Sequence, residues 1–146
     1  MSAPDPVAAL QTALAAEHAV IWGYAVVGAR VDPALREQVW AADAAHRSRR
    51  DGTALLVRRH GGEPVPTAAS YTLPFPVADR PAALRLAVHL EDGAAAAWHY
   101  VVAATDDPTL RRTAIAALAD AAVRGTIWRR LVTPRAPTVP FPGTSP

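Results

Sequence analysis

Four times along this chain an aspartate stands directly, or one residue, ahead of a proline, and each time a run rich in alanine and leucine follows: Asp5-Pro6, Asp32-Pro33, Asp79-Arg80-Pro81 and Asp107-Pro108. An Asp side chain accepts hydrogen bonds from the free amides of a helix's first turn, and a proline there loses only a donor that had no partner. Four such signals predict four helices. Stops are equally legible: Gly61-Gly62 closes the second run, and Pro134 and Pro137 bar continuation of the fourth. The expected helices run from 6 to 30, 33 to 60, 81 to 105 and 108 to 132, about 25 residues and about 37 Å each.

Periodicity supports the same reading. Leu10, Leu14, Glu17, Ile21, Tyr24 and Gly28 recur by threes and fours, as do Leu35, Val39, Ala42, His46, Arg49, Thr53 and Leu56. The third run carries Leu84, Val88, Glu91, Ala95, Trp98 and Val102, and the fourth Leu110, Ala114, Ala117, Ala121, Arg124, Trp128 and Leu131. No useful length alternates with period two, so the expected class is all-α. The first and second helices are joined almost directly, as are the third and fourth, while Gly61 to Arg80 forms a Pro-rich connection of about 20 residues. Two tight hairpins and one long crossover are the arrangement of ferritin-like four-helix bundles. Tyr71, Leu73 and Phe75 give the crossover apolar side chains with which to lie along the bundle. Residues 1–132 are thus expected to form one helical domain, with 133–146 an extended or disordered Pro-rich tail.

Composition narrows the chemistry. There is no cysteine, which excludes disulfides, thiolate nucleophiles and iron–sulfur ligation together. Aromatic residues are only 6% of the chain although 51% is hydrophobic, so the core has to be built from small side chains in close contact. All 15 basic residues are Arg, but the net charge is only +2, a weak sign of a polyanionic partner. The cluster Arg47, Arg49, Arg50, Arg58 and Arg59 is scattered around its helix and interleaved with acids, so nucleic acid is disfavoured as a partner. Within the helical runs the charge-free stretches, Ala19 to Ala29 and Gly93 to Thr105, fall short of the roughly 20 residues that span a bilayer, so no membrane role is expected. The opening Met-Ser-Ala-Pro-Asp-Pro lacks a positive region ahead of an apolar one, and a cytoplasmic protein is the expectation. Gly23 to Gly28 has phosphate-loop glycine spacing without the Lys-Ser/Thr that reaches phosphate, and no Gly-x-Ser-x-Gly or His-Glu-x-x-His occurs.

The informative residues are polar ones on apolar stripes. Glu17 and Glu91 sit in the middle of theirs, where a charge costs several kcal/mol unless it is paired, protonated or metal-bound. Asp43-Ala-Ala-His46 sets a carboxylate and an imidazole three residues apart on the second helix, and Asp120 adds a carboxylate on the fourth. Dinuclear iron and manganese bundles take a Glu from each of two helices and a Glu-x-x-His pair from each of the other two. The candidate ligands are therefore Glu17, Asp43, His46, Glu91 and Asp120. The set is incomplete, because Val123 stands where a second His belongs. Arginine offers a metal-free solution: Arg49, Arg50 and Arg124 lie on or beside the inward stripes, Arg47 is four residues from Asp43, and Arg124 four from Asp120. His18 and His99 are expected on helix flanks, His60 and His89 in solvent, and Trp22, Trp40, Trp98 and Trp128 as packing anchors.

Four segments carry a family resemblance: Ala15-Ala16-Glu17-His18-Ala19, Ala45-His46-Arg47-Ser48-Arg49-Arg50-Asp51, Tyr71-Thr72-Leu73-Pro74-Phe75-Pro76-Val77 and Leu90-Glu91-Asp92. Over roughly residues 7 to 132 the chain resembles the ferritin-like domains of unknown function found in high-GC bacteria. The resemblance implies a ferritin-like four-helix fold and, through the wider superfamily, an iron or manganese centre. Three roles are compatible with the sequence: a non-catalytic module that associates with itself, as a homo-oligomer, or with another protein; a metal-dependent oxidoreductase or metal-storage protein; and a small-ligand binder in which Arg49 or Arg124 grips an anion.

Overall fold

The computed structural model describes residues 5–144, so that Met1–Pro4 of the expected domain and Ser145–Pro146 of the expected tail lie outside the described residues. Four α-helices account for most of them: α1 (Pro6–Gly28), α2 (Arg36–Arg59), α3 (Arg80–Ala104) and α4 (Pro108–Val132), with no strand among the described residues. The chain is an all-α four-helix bundle. Three of the four aspartate signals cap as expected: Asp5 accepts from the Val7 amide, Asp79 from that of Ala82 and Asp107 from that of Thr109. The second helix starts differently. A 3-10 turn, Pro33–Leu35, precedes α2, and Asp32 makes no capping bond because its carboxylate pairs with Arg80 at the start of α3. At the other end of α2, Gly61 adopts φ 85° and supplies the left-handed residue on which the helix stops.

α1 packs on both α2 and α3, and α3 packs on α4; α2 and α4, which form the fourth side of the ring, share no comparable interface. Close approach depends on small residues. A Cβ on Gly23 of α1 would lie 2.6 Å from the Leu90 methyls of α3, so Leu90 fills the notch that the glycine leaves. The core falls into two apolar halves. One contains Leu10, Leu14, Val57, Val101 and Leu110, the other Val20, Val27, Val39, Leu84 and Leu86. On α1 the break between the halves falls at Glu17, and on α2 at His46.

The crossover runs as an irregular strap from Gly62 to Asp79. Gln11 of α1 holds its start with both ends of its amide, donating to the Glu63 carbonyl (2.5 Å) and accepting from the Val65 amide (2.8 Å). His18 Nε2 meets the Val65 carbonyl at 3.1 Å, and Trp22 packs on Tyr71 with ring centroids 5.5 Å apart. Leu73 and Phe75 press on the core, and Val77 is buried in it. Beyond α4, residues 133–144 form no helix or strand but lie against the bundle: Arg129 donates to the Pro137 carbonyl, and Gly143 approaches α3 so closely that a Cβ there would stand 2.6 Å from the Ala95 carbonyl oxygen. No helix among the described residues is long and apolar enough to cross a membrane.

Ala95 and Ala121 are almost completely buried at helix contacts. Ala95→Leu and Ala121→Leu should each overpack the bundle and lower the unfolding free energy by about 1–3 kcal/mol in urea denaturation. Unchanged midpoints in both would show that these faces tolerate side chains that the packing leaves no room for.

Candidate functional site

Between the two halves of the core lies a closed group of polar side chains. Glu17 of α1, His46 of α2 and Glu91 of α3 are each at most 3% exposed. The His46 ring stands between the two carboxylates, its Nδ1 2.6 Å from Glu17 Oε2 and its Nε2 3.1 Å from Glu91 Oε1. Aromatic donors extend the chain. Trp98 of α3 donates its indole N–H to Glu17 Oε1 at 2.8 Å, Tyr24 of α1 donates its hydroxyl to Glu91 Oε1, and Trp128 of α4 donates to the Tyr24 oxygen at 2.9 Å. The hydrogen-bonded path therefore runs Trp128, Tyr24, Glu91, His46, Glu17, Trp98 and touches all four helices.

Burial alone would push the His46 pKa down, but its hydrogen bonds to Glu17 and Glu91 and the charges of both carboxylates outweigh that and raise it to about 9. The ring is an imidazolium at neutral pH, donating from both nitrogens. Tyr24 shifts well above its usual value because burial, reinforced by the neighbouring Glu91 charge, disfavours the phenolate. It stays a donor. One carboxylate oxygen, Glu91 Oε2, is buried without a hydrogen bond; the Arg124 guanidinium of α4 approaches it at 3.7 Å, close enough for charge compensation but too far for a hydrogen bond.

The fold brings together Glu17, His46 and Glu91 of the five candidate ligands and leaves two outside. Asp43 faces outward on α2 and pairs with Arg47 at 2.7 Å, and Asp120 pairs with Arg49 at 2.5 Å across the α2–α4 side with its own side chain half exposed. Arg50 binds the adjacent Asp51. The main counter-ion of the buried acids is thus a histidine, where the sequence pointed to arginine. Tyr24, Trp98 and Trp128 occupy the buried stripe positions that the periodicity predicts, and they are also the network's outer donors. Trp40 is 66% exposed and Trp22 37% exposed, with the Trp22 ring packed on Tyr71 of the strap, so neither is a core anchor.

The donor set fits a carboxylate-bridged dinuclear centre poorly. Such a centre needs carboxylates and imidazoles arranged around a common point, whereas here both nitrogens of the only imidazole are bonded to the acids beside it and the other two carboxylates face arginines. Among the described residues no group of three or more His, Asp or Glu has the arrangement to hold a metal ion.

A raised histidine pKa ties stability to pH. Its contribution is fully present below the unfolded value near 6.5 and is lost as pH rises through about 9. The unfolding free energy should accordingly fall by about 3 kcal/mol between pH 6 and pH 10. His46→Gln should remove that slope, and chemical denaturation across the range checks it; an equal slope in the variant would assign it to other groups.

Comparison with known proteins adds family and fold. The solved structure of a conserved hypothetical protein, rv2844, from Mycobacterium tuberculosis is similar at 39% identity and a TM-score of 0.84, over 86% of this chain and 96% of that one. No curated protein matches the chain. Residues 9–146 match the family model described as Domain of unknown function (DUF4439), and the match extends through the Pro-rich tail. This chain belongs to the DUF4439 domain family.

Proposed function

We propose that the chain is a non-catalytic ferritin-like helical module in which a histidinium takes the place of a metal centre, and that it acts through its surface, by association with itself or with another protein. One observation carries the reading. The imidazole of His46 fills the space between Glu17 and Glu91 and uses both nitrogens to do so, which is the position a bridging metal would need. The imidazolium within this Glu–His–Glu group offsets one of the two buried carboxylate charges, and the Arg124 guanidinium 3.7 Å from Glu91 compensates the other. The ferritin-like assignment is supported by the long crossover between two hairpins and by the order of the inner residues, Glu17 on α1, His46 on α2 and Glu91 on α3.

Iron or manganese held by Glu17, His46 and Glu91, with Asp43 and Asp120 recruited, is the competing reading. Mixed oxygen and nitrogen donors suit either ion. It requires His46 to lose its proton and release at least one carboxylate, and Asp43 and Asp120 to leave Arg47 and Arg49. Metal analysis of protein purified without chelator separates the two. The histidinium reading expects substoichiometric metal and a melting temperature unmoved by added manganese or ferrous iron. Stoichiometric iron or manganese that disappears in both Glu17→Ala and His46→Ala would overturn it.

A further inference from the structure

The α2–α4 side of the bundle is open, and its shape and charge describe a binding site. The two helices face each other across a cleft of about 530 Å³ with Trp98 at its base, within the range of small-molecule pockets. Arg49, Arg59 and Arg124 line it, with Asp120 as the only acid among the lining residues, a surplus of two positive charges (three minus one). The buried cluster behind Arg124 carries one net negative charge, two carboxylates against the His46 imidazolium, which still leaves the cleft positive by one.

The guanidiniums are positioned but not saturated. Arg49 is held over the Trp98 ring at 5.9 Å and uses one nitrogen on the half-exposed Asp120. Arg124 has its nearest acid at 3.7 Å and makes no hydrogen bond among the described residues, and Arg59 makes neither hydrogen bond nor ion pair among them. Arg49 and Arg124, both about one-quarter exposed, form the half-desolvated end of the cleft, where charge pairing is strongest.

The wall beside them is apolar and recessed. Leu55 is 53% exposed there, next to Leu56. Gly52 sits inside α2, where glycine is a much poorer helix former than alanine. Its backbone is ordinary helix, and a Cβ there would meet nothing within 4 Å. Neither close packing nor backbone conformation requires this glycine. A larger side chain here would project into the open space of the cleft that Gly52 lines.

We propose that the cleft binds a small amphipathic organic anion, its carboxylate or phosphate head between Arg49 and Arg124 and its apolar body along Leu55 and Leu56 toward Arg59. The head draws Arg49 away from Asp120 and gives Arg124 the acceptor it lacks; Arg59 adds a favourable rim charge. This goes beyond the internal network and does not rest on it, because Arg49, Gly52, Leu55, Leu56 and Arg124 are set along the cleft by α2 and α4 themselves and not by the state of His46.

Calorimetric titration of the full chain tests this with three probes: decanoate below its micelle concentration, inorganic phosphate as a head without a body, and decanol as a body without a head. Decanoate should saturate at one per chain and bind at least about tenfold more tightly than either of the others. Arg124→Gln should weaken it about tenfold or more. Gly52→Leu should do the same while the melting temperature stays at or above that of the parent, since the substitution raises helix propensity and fills only the cleft. Absence of saturable decanoate binding, phosphate or decanol binding as tightly as decanoate, or undiminished binding in folded Gly52→Leu would each overturn the proposal.

Discussion

Everything inside this bundle is arranged around one buried cation. Two carboxylates in an alanine-rich core are unsustainable alone, and the imidazolium of His46 makes them sustainable by bonding to both at once. Removing one partner from such a buried group typically costs about 3–5 kcal/mol, because the remaining charges stay where they are. The tryptophan and tyrosine donors then become intelligible. Trp98 satisfies the Glu17 oxygen that His46 does not touch, Tyr24 shares Glu91 Oε1 with His46, and Trp128 ties α4 into the group through the Tyr24 oxygen. The polar layer divides the core into two apolar halves, so the middle of the bundle is held by directional bonds and its ends by small-residue packing.

The frame was legible in the sequence because its signals are local. Asp before Pro, glycine after a run and a three-four repeat depend on neighbours within a turn, and the four helices, the two hairpins and the long connection all follow from them. The start of α2 escaped for a non-local reason: Asp32 had a competing partner, Arg80, 48 residues away, and with its carboxylate taken the chain enters α2 through a 3-10 turn. Trp40 escaped because a large apolar residue at the edge of a stripe looks the same whether it turns in or out.

The candidate site was legible only as a set of misfits. Glu17, His46 and Glu91 stood out against their apolar stripes, and burial followed. Asp43 did not share their fate although it lies one turn from His46, because an arginine four residues on offers a surface partner at lower desolvation cost. Asp120 likewise found Arg49 across the open side. The aromatic donors went unread since an indole or phenol on an apolar stripe has the same pattern whether its polar atom bonds or not. One signal was available. Glu17 precedes Tyr24, and Glu91 precedes Trp98, by the same seven residues, two helical turns in each case.

That repeated spacing has a consequence for how the helices find each other. Tyr24 bonds to Glu91 while Trp98 bonds to Glu17, a crossed exchange that is possible only if α1 and α3 run antiparallel with one particular alignment. Alanine surfaces are nearly featureless and would let two helices slide by a turn with little loss of contact. A slide of one turn, about 5.4 Å, would break both exchanges together and strand four buried polar groups in a dry interior. The paired Glu and aromatic residues act as a two-point vernier for a core whose side chains are too small and too alike to set their own register.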